Sequence, residues 1–442
     1  MTNHGSHNHS HCGCCGSRLG CQVSRRGFMA GMGAAAGTIA LSSLTAKTAM
    51  AQEPIRLGPI RLTTVVQPVL VYSLGQRTEG TSWRNWGGLH TPQDVADEQK
   101  RIAVEPEDMQ KKSDFPMEIR PLLAINSVDE AKKIAQNNHD VVVLYAAGGW
   151  GDILETLTDP QKATLIFLRH RSGPVYLWYE IISNRYLRKT VDEYGQPGIT
   201  PKDVVVDRYD ELLWRLRALA AIKNTRNKKV LCVGGASGWG VGGQKAPQLT
   251  KDVFGIELVD VSYDELGQRI LKMRARQQMV QWCNEQADAF LKRDGISLHT
   301  DREFVRKCFL LTEVFHELMA EHKTDALTIN ACMGTIMQVS ETTACLPLML
   351  LNDAGYMAFC ESDFVVIPSG ILLHYISGKP VFLNDPTYPH DQMVTLAHCT
   401  APSRMDGLTD EPAKILTHFE SDWGAAPKVE MKHGQIVTTI DP

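Results

Sequence analysis

The first 51 residues contain no aspartate or glutamate, although the 442-residue chain has 50 acidic side chains in all. The same stretch carries four basic residues (Arg18, Arg25, Arg26 and Lys47) and four of the 11 cysteines. The rest of the chain therefore holds 42 basic against 50 acidic residues, a formal −8, where the whole chain is −4. A negative balance of that size gives no electrostatic ground for a nucleic-acid partner. Also missing are internal repeats and low-complexity tracts beyond the leader, which excludes solenoids, collagen-like chains and rods. The seven later cysteines (Cys232, Cys283, Cys308, Cys332, Cys345, Cys360 and Cys399) are odd in number and irregularly spaced, so a disulfide scaffold is not expected. At 43% hydrophobic and 22% charged, the chain has the composition of a globular protein.

The leader has the features of an export signal. Ser24-Arg25-Arg26-Gly27-Phe28-Met29 is a twin-arginine pattern, followed by an apolar run from Phe28 to Leu44 and a small-residue site Ala49-Met50-Ala51. The run is short and broken by Gly, Ser and Thr, which favours a signal cleaved after Ala51 over a membrane span. His4, His7, His9, His11, Cys12, Cys14, Cys15 and Cys21 are soft-metal ligand types, but nothing around them fixes a coordination geometry and no site is placed there. The expectation is a chain folded in the cytoplasm, handed to the twin-arginine translocase and released in the periplasm or beyond.

Past the leader, apolar runs alternate with segments of helical spacing. Strands are expected at residues 60–72, 117–125, 140–147, 163–169, 204–206, 229–234, 256–261, 326–330, 356–360, 380–383 and 393–399. Helices are expected at 92–101, 128–136, 209–222, 262–291, 301–322 and 342–351. Strand then helix, repeated, is the signature of an α/β protein with largely parallel sheets. Composition shifts suggest an N-terminal α/β domain over 52–170, a middle one over 171–300 and a C-terminal domain over 301–442. The first two read as Rossmann-like units, and the last is expected to finish in an antiparallel hairpin over residues 428–440.

Gly238-Trp-Gly240-Val-Gly-Gly243 fits the dinucleotide pattern G-x-G-x-x-G after a strand, with Asp260 about 20 residues on. Pro247 interrupts the helix that would have to hold a pyrophosphate, so a nicotinamide dehydrogenase is set aside. A Gly-rich loop over a cleft, with Trp239 available to pack on a ligand, is preferred.

The informative stretch is 325–406, where four expected strands end in reactive side chains. These are Asn330-Ala-Cys332, Cys360-Glu361-Ser-Asp363, Asn384-Asp385 and His398-Cys399. Ligands of open α/β sheets bind outside the carboxyl ends of strands, so these groups should converge on one cleft. Carboxylates two residues apart together with a histidine suit a hard cation such as Mn²⁺ or Mg²⁺. The plainer alternatives are that Glu361 and Asp363 cap a helix beginning near Phe364, that His398 is a satisfied core histidine, and that the cysteines are small buried hydrophobes.

This region resembles the C-terminal half of the L-fucose isomerase and L-arabinose isomerase superfamily, in its fucose isomerase-like branch. The resemblance rests on Cys345-Leu-Pro-Leu-Met-Leu-Leu-Asn352-Asp353-Ala-Gly355, Cys360-Glu361-Ser-Asp363, Gly378-Lys-Pro-Val-Phe-Leu-Asn-Asp385 and His398-Cys399-Thr-Ala-Pro402. It implies a fucose isomerase-like fold and an aldose–ketose isomerase acting on a pentose or deoxyhexose through an enediol, with Mn²⁺ or another divalent cation. By the same resemblance Glu361 is a metal-binding base, Asp363 a second ligand or base, and His398 a ligand. Asp385 orients His398 or contacts substrate. Classical members carry a further glutamate where this chain has Asn330-Ala331-Cys332. That leaves open whether Cys332 replaces it as a softer ligand, another residue reaches in, or the chain is an exported sugar-binding or sensing protein without isomerase activity. Trp83, Arg84 and Trp86 offer aromatic faces and a cation suited to a sugar, or form a folded surface loop. In the family this region completes a neighbouring subunit's pocket, so a homo-oligomer is expected by resemblance.

Overall fold

Two blocks of parallel strands, each flanked by helices, make up most of the computed structural model, and a smaller mixed sheet closes the C-terminal end. The structure describes residues 56–75, 79–80, 88–148, 151–176, 187 and 197–440. The expected leader, with its twin arginines, and the Trp83, Arg84 and Trp86 group lie outside these residues. Among the described residues, no helix is long and apolar enough to cross a membrane.

The first sheet is built from β1 (Thr64–Val71), β2 (Met117–Ile119), β3 (Leu123–Ile125), β4 (Val141–Ala146), β5 (Ala163–Leu168) and β6 (Val204–Val206). Its order is β2-β1-β4-β5-β6, with β3 also on β1, and all pairs are parallel. Strands β1, β4 and β5 are near-continuous apolar runs because helices cover both faces of such a sheet. The expected strand over 117–125 is two short ones, separated where Arg120-Pro121 leaves the ladder.

Helix α1 (Pro92–Lys112) runs past its expected end at Arg101 and through Pro106. Tertiary bonding explains the extension. Arg169, fully buried at the end of β5, donates from Nε to Glu98 Oε1 (2.5 Å) and from Nη2 to Glu105 Oε2 (2.5 Å), both on this helix. Glu98 and Glu105 stand two helical turns apart on one face, so both reach Arg169 only while the helix continues to Pro106, whose interior position costs about 3 kcal/mol.

The second sheet contains β7 (Lys229–Val233), β8 (Glu257–Val261), β10 (Ala326–Ile329) and β11 (Met357–Cys360), in the order β11-β10-β7-β8, all parallel. Alternation along the strands sorts two cores. Leu231, Val233, Leu327, Ile329 and Ala358 face α6 (Tyr263–Arg274), α7 (Gln277–Phe290) and α8 (Arg302–His322). Val230, Cys232, Ala326, Met357 and Phe359 face the other way, toward Ala221 of α4 (Tyr209–Thr225), Ala246 of α5 (Ala246–Phe254) and Ile367 and Ile371 of α10 (Ile367–Ser377). The single helix expected over 262–291 is two, broken at Arg276 (φ −88°, ψ 84°).

These sheets cross both expected domain boundaries. Val204–Val206 joins the first sheet from beyond residue 170, and the second takes strands from either side of residue 300. The C-terminal hairpin is also corrected. Strand β15 (Ala426–Val429) pairs antiparallel with β14 (Ala413–Leu416), which lies parallel to β9 (Ile296–Leu298). Ala413 and Ile415 bury against the core of that sheet, whereas Ile436 is fully exposed, so residues beyond 430 have no apolar face to pair upon. No strand forms over the run expected at 380–383, and the one expected at 393–399 keeps only β13 (Leu396–Ala397), paired with β12 (Asp385–Pro386) in a two-residue ribbon.

Candidate metal centre in the cleft beside the second sheet

The chain winds from β7 outward to β8, then returns past β7 to β10 and β11. The sheet order therefore reverses between β7 and β10, and the loops leaving their carboxyl ends part there to form a crevice. A cavity of about 1130 Å³ occupies that position. Ser237, Trp239 and Gly240 after β7, Asn330 and Cys332 after β10, and Glu361 after β11 line it, with Asp385 and His398 opposite.

Glu361 follows the last residue of β11, and both it (φ 66°) and Ser362 (φ 50°) adopt the left-handed conformation, unusual for side chains of their kind. Several bonds hold them there. The Ser237 hydroxyl donates to the Glu361 and Ser362 carbonyls (both 3.2 Å), and the Ser362 N–H donates to Thr328 Oγ1 (3.1 Å). The antiparallel ribbon pairs Asp385 with Ala397, which sets His398, one residue on, beside Asp385. Glu361, Asp385 and His398 each place a ligand atom within 4.8 Å of the others. His398 Nε2 lies 3.6 Å from Glu361 Oε1.

The electrostatics follow from this convergence. The His398 hydrogen bond holds the Glu361 carboxyl below its usual range. Burial raises Asp385, and the neighbouring Glu361 charge adds to the rise. Burial alone would lower His398, but hydrogen bonds to Cys399 and Glu361 outweigh it and raise the imidazole to about 10. Two carboxylates and a histidine from three separate segments form an oxygen-rich donor set suited to a hard divalent ion such as Mn²⁺.

No protein-family model and no curated protein matches the chain. Among solved structures, a conserved domain protein from Vibrio cholerae O1 biovar El Tor is similar over 67% of this chain and 88% of its own, at 11% identity and a TM-score of 0.17. A likeness that slight carries no argument about function.

Asp363 does not join the metal group. Its Oδ1 accepts from the backbone N–H groups of Trp239 and Val365 (both 3.1 Å), so its carboxylate ties the Gly-rich loop to the start of the following turn. Asp385 stands where Asp363 was expected. Trp239 lines the cleft and its side chain bonds to Glu361. Gly238 and Gly243 press backbone against backbone, and a Cβ at Gly238 would collide with the Gly243 carbonyl oxygen. Those glycines serve the loop's own tight turn. Pro247, expected to break the following helix, stands in the first turn of α5, where its missing N–H costs nothing.

Cys332 opens a π-helical turn (Cys332–Ile336) after Ala331, itself left-handed at φ 50°. Its sulfur faces other thiols as well as the cleft. Cys345 Sγ donates to Cys399 Sγ (3.4 Å), and Cys332 and Cys360 lie close enough to shift the same thiols. Hydrogen bonds from Cys345 and Cys360 hold both Cys332 and Cys399 far below the usual thiol range, while Cys345 and Cys360 are pushed well above it. The four thiols thus influence one another around a ring. The sequence pattern does not show these four cysteines as a group, and it gives no sign of His418. Their separations of 13, 15 and 39 residues match no ligand spacing, and only the placement of Cys332, Cys360 and Cys399 at expected strand ends hints at convergence.

Proposed function

We propose that the protein is a metal-dependent aldose–ketose isomerase of the fucose isomerase-like type, acting on a free pentose or deoxyhexose. The convergence of Glu361, Asp385 and His398 at the mouth of a 1130 Å³ cleft, at the switch point of a parallel sheet, carries this reading. The resemblance of residues 345–402 to that superfamily supports it. These three residues would hold Mn²⁺ or a similar hard cation, which when bound supplies charge to offset an enediolate.

The remaining work falls to side chains. Glu361, its carbonyl held by Ser237 and the next residue's N–H by Thr328, removes the proton from the carbon beside the sugar carbonyl and returns it one carbon over. Asp385, with a carboxylate oxygen within 4.8 Å of the ligand atoms of Glu361 and His398, is the second carboxyl for proton traffic. Trp239 presents an exposed indole face at the rim, suited to stack on the apolar side of a sugar ring. Asn330 and Cys332, which occupy the place of the superfamily's other glutamate, line the opposite wall. Trp83, Arg84 and Trp86, expected from the sequence to meet substrate or a partner subunit's pocket, lie outside the described residues.

Incubation with Mn²⁺ and a panel of pentoses and deoxyhexoses in D₂O tests the reading. Deuterium entering carbon 2 of one sugar supports isomerisation. Tight sugar binding without exchange would instead establish a binding or sensing protein.

A further inference from the structure

Four of the seven described cysteines meet at one place. Cys332 begins the π-helical turn after β10, Cys345 opens α9 (Cys345–Asp353), Cys360 ends β11 and Cys399 follows His398. The Sγ atoms of Cys345 and Cys399 are 3.4 Å apart. His418, from the segment after β14, closes on them, and the donor atoms of Cys345, Cys399 and His418 all lie within 4.8 Å of one another. The remaining cysteines, Cys232, Cys283 and Cys308, are dispersed in the cores as small hydrophobes.

Packing does not require five such side chains from five segments to converge. Cysteine as a core residue is satisfied by any apolar neighbour, and His418 buries a polar ring to reach this spot. Coordination of one ion does require ligands of this kind to converge, four of them in a closed site. Four ligands at a zinc–thiolate distance of about 2.3 Å place sulfurs about 3.8 Å apart, close to the separation seen. Thiolates and imidazole are also the ligands that borderline-soft ions prefer over the carboxylates a few ångströms away.

We propose that Cys345, Cys399 and His418 bind a single zinc-class ion, with a fourth ligand from the flanking pair Cys332 and Cys360, in a site separate from the carboxylate centre. Cys399 Sγ lies 3.6 Å from His398 Nδ1. The thiolate site would therefore clamp the segment that delivers His398 to the cleft, and it acts as a positioning device for that histidine. The proposal stands on thiol geometry and does not depend on the isomerase reading.

Cobalt titration of the metal-free, reduced full-length chain, with the leader's Cys12, Cys14, Cys15 and Cys21 replaced by serine in every sample, provides the test. One equivalent of Co²⁺ should produce a thiolate-to-metal charge-transfer band with the intense visible absorption of tetrahedral cobalt, and zinc should abolish both. Cys345→Ser and His418→Ala should each weaken binding by more than about 100-fold, beyond the loss of an outer-shell partner. Glu361→Gln should leave the band intact. Because Cys345 is fully buried, thermal unfolding of each variant accompanies the titration, and His418→Ala carries the test if Cys345→Ser does not fold. Absence of the band in reduced protein with the site intact overturns the proposal, as does its survival in His418→Ala or its loss in Glu361→Gln. A Cys345–Cys399 disulfide that releases no metal-binding capacity on reduction does so too.

Discussion

Asp385, and not Asp363, is the carboxylate that meets Glu361 and His398. In a continuing strand, residues i and i+2 share a face, and Glu361 and Asp363 would then point the same way. The strand ends at Cys360, and two consecutive left-handed residues turn the chain before Asp363 is reached. Its carboxylate is spent on the Trp239 and Val365 amides. Asp363→Ala should accordingly cost about 1 kcal/mol, the loss of a capping side chain, and leave Mn²⁺ stoichiometry unchanged. Urea denaturation and manganese titration of the variant check the two halves of that expectation. Glu361 and His398 are legible in the sequence because each follows an apolar run that ends at the cleft. Asp385 is visible there only as a weaker participant, since its place depends on the pairing of Asp385 with Ala397, and a two-residue ribbon has no periodicity to read.

Among the elements, strands of the parallel sheets are the most legible, because burial on both faces leaves uninterrupted apolar runs such as Val141–Ala146. Helix limits are less so, for tertiary reasons. Nothing in the periodicity marks the break at Arg276, whose guanidinium reaches Glu317 on α8 at 2.5 Å. Nor does it show that α1 continues through Pro106 to meet Arg169. That arginine gives a stability prediction of its own. Glu98, only 1% exposed, accepts from Arg169 Nε and from the Tyr176 hydroxyl (2.6 Å). Arg169→Met would leave the buried Glu98 carboxylate only the half-exposed Arg101 (3.2 Å) and the Tyr176 hydroxyl, and should destabilise the protein by about 3 kcal/mol. Replacing both, as Arg169→Met with Glu98→Leu, should recover part of the loss, because the most deeply buried carboxylate goes with its arginine and only the partly exposed Glu105 is left without it. Equilibrium denaturation of the single and double variants would show it, and equal stability of the single variant and wild type would refute it.

At the scale of the whole molecule, the two parallel sheets and the crevice between β7 and β10 are implied by alternating strand and helix, but the assignment of strands to sheets is not. The C-terminal residues 326–360 complete a sheet begun at residue 229, a pairing over about 100 residues that no local pattern records. The same nonlocal closure assembles the thiol ring.

Acid sensitivity is a further property of the whole fold. His316, on α8, lies edge-on to Tyr356 with ring centroids 5.0 Å apart, and its Nδ1 has no hydrogen-bond partner among the described residues. Burial lowers its pKa from 6.5 to about 3, and burial lowers His374 from 6.5 to about 4. Between these values and 6.5, the unfolded chain holds protons that the folded chain refuses, so stability rises with pH across that window. Their contribution is complete above pH 6.5 and is lost as pH falls toward 3. Each histidine should add about 1.4 kcal/mol per pH unit to the slope within its window. His316→Gln should make the slope of unfolding free energy between about pH 6 and 4.5 shallower by one proton's worth. An unchanged slope would show that His316 is not kept neutral by burial.

If Glu361, Asp385 and His398 act together on a sugar proton, removing either carboxylate should stop the proton from moving. The most direct test is deuterium incorporation at carbon 2 in Mn²⁺-loaded wild-type protein and in its Glu361→Gln and Asp385→Asn variants, each confirmed as folded by its thermal transition. Exchange in the wild type, falling by at least about 100-fold in both variants, is the predicted result. Undiminished exchange in Glu361→Gln, or its absence from the wild type with every sugar in the panel, would contradict it.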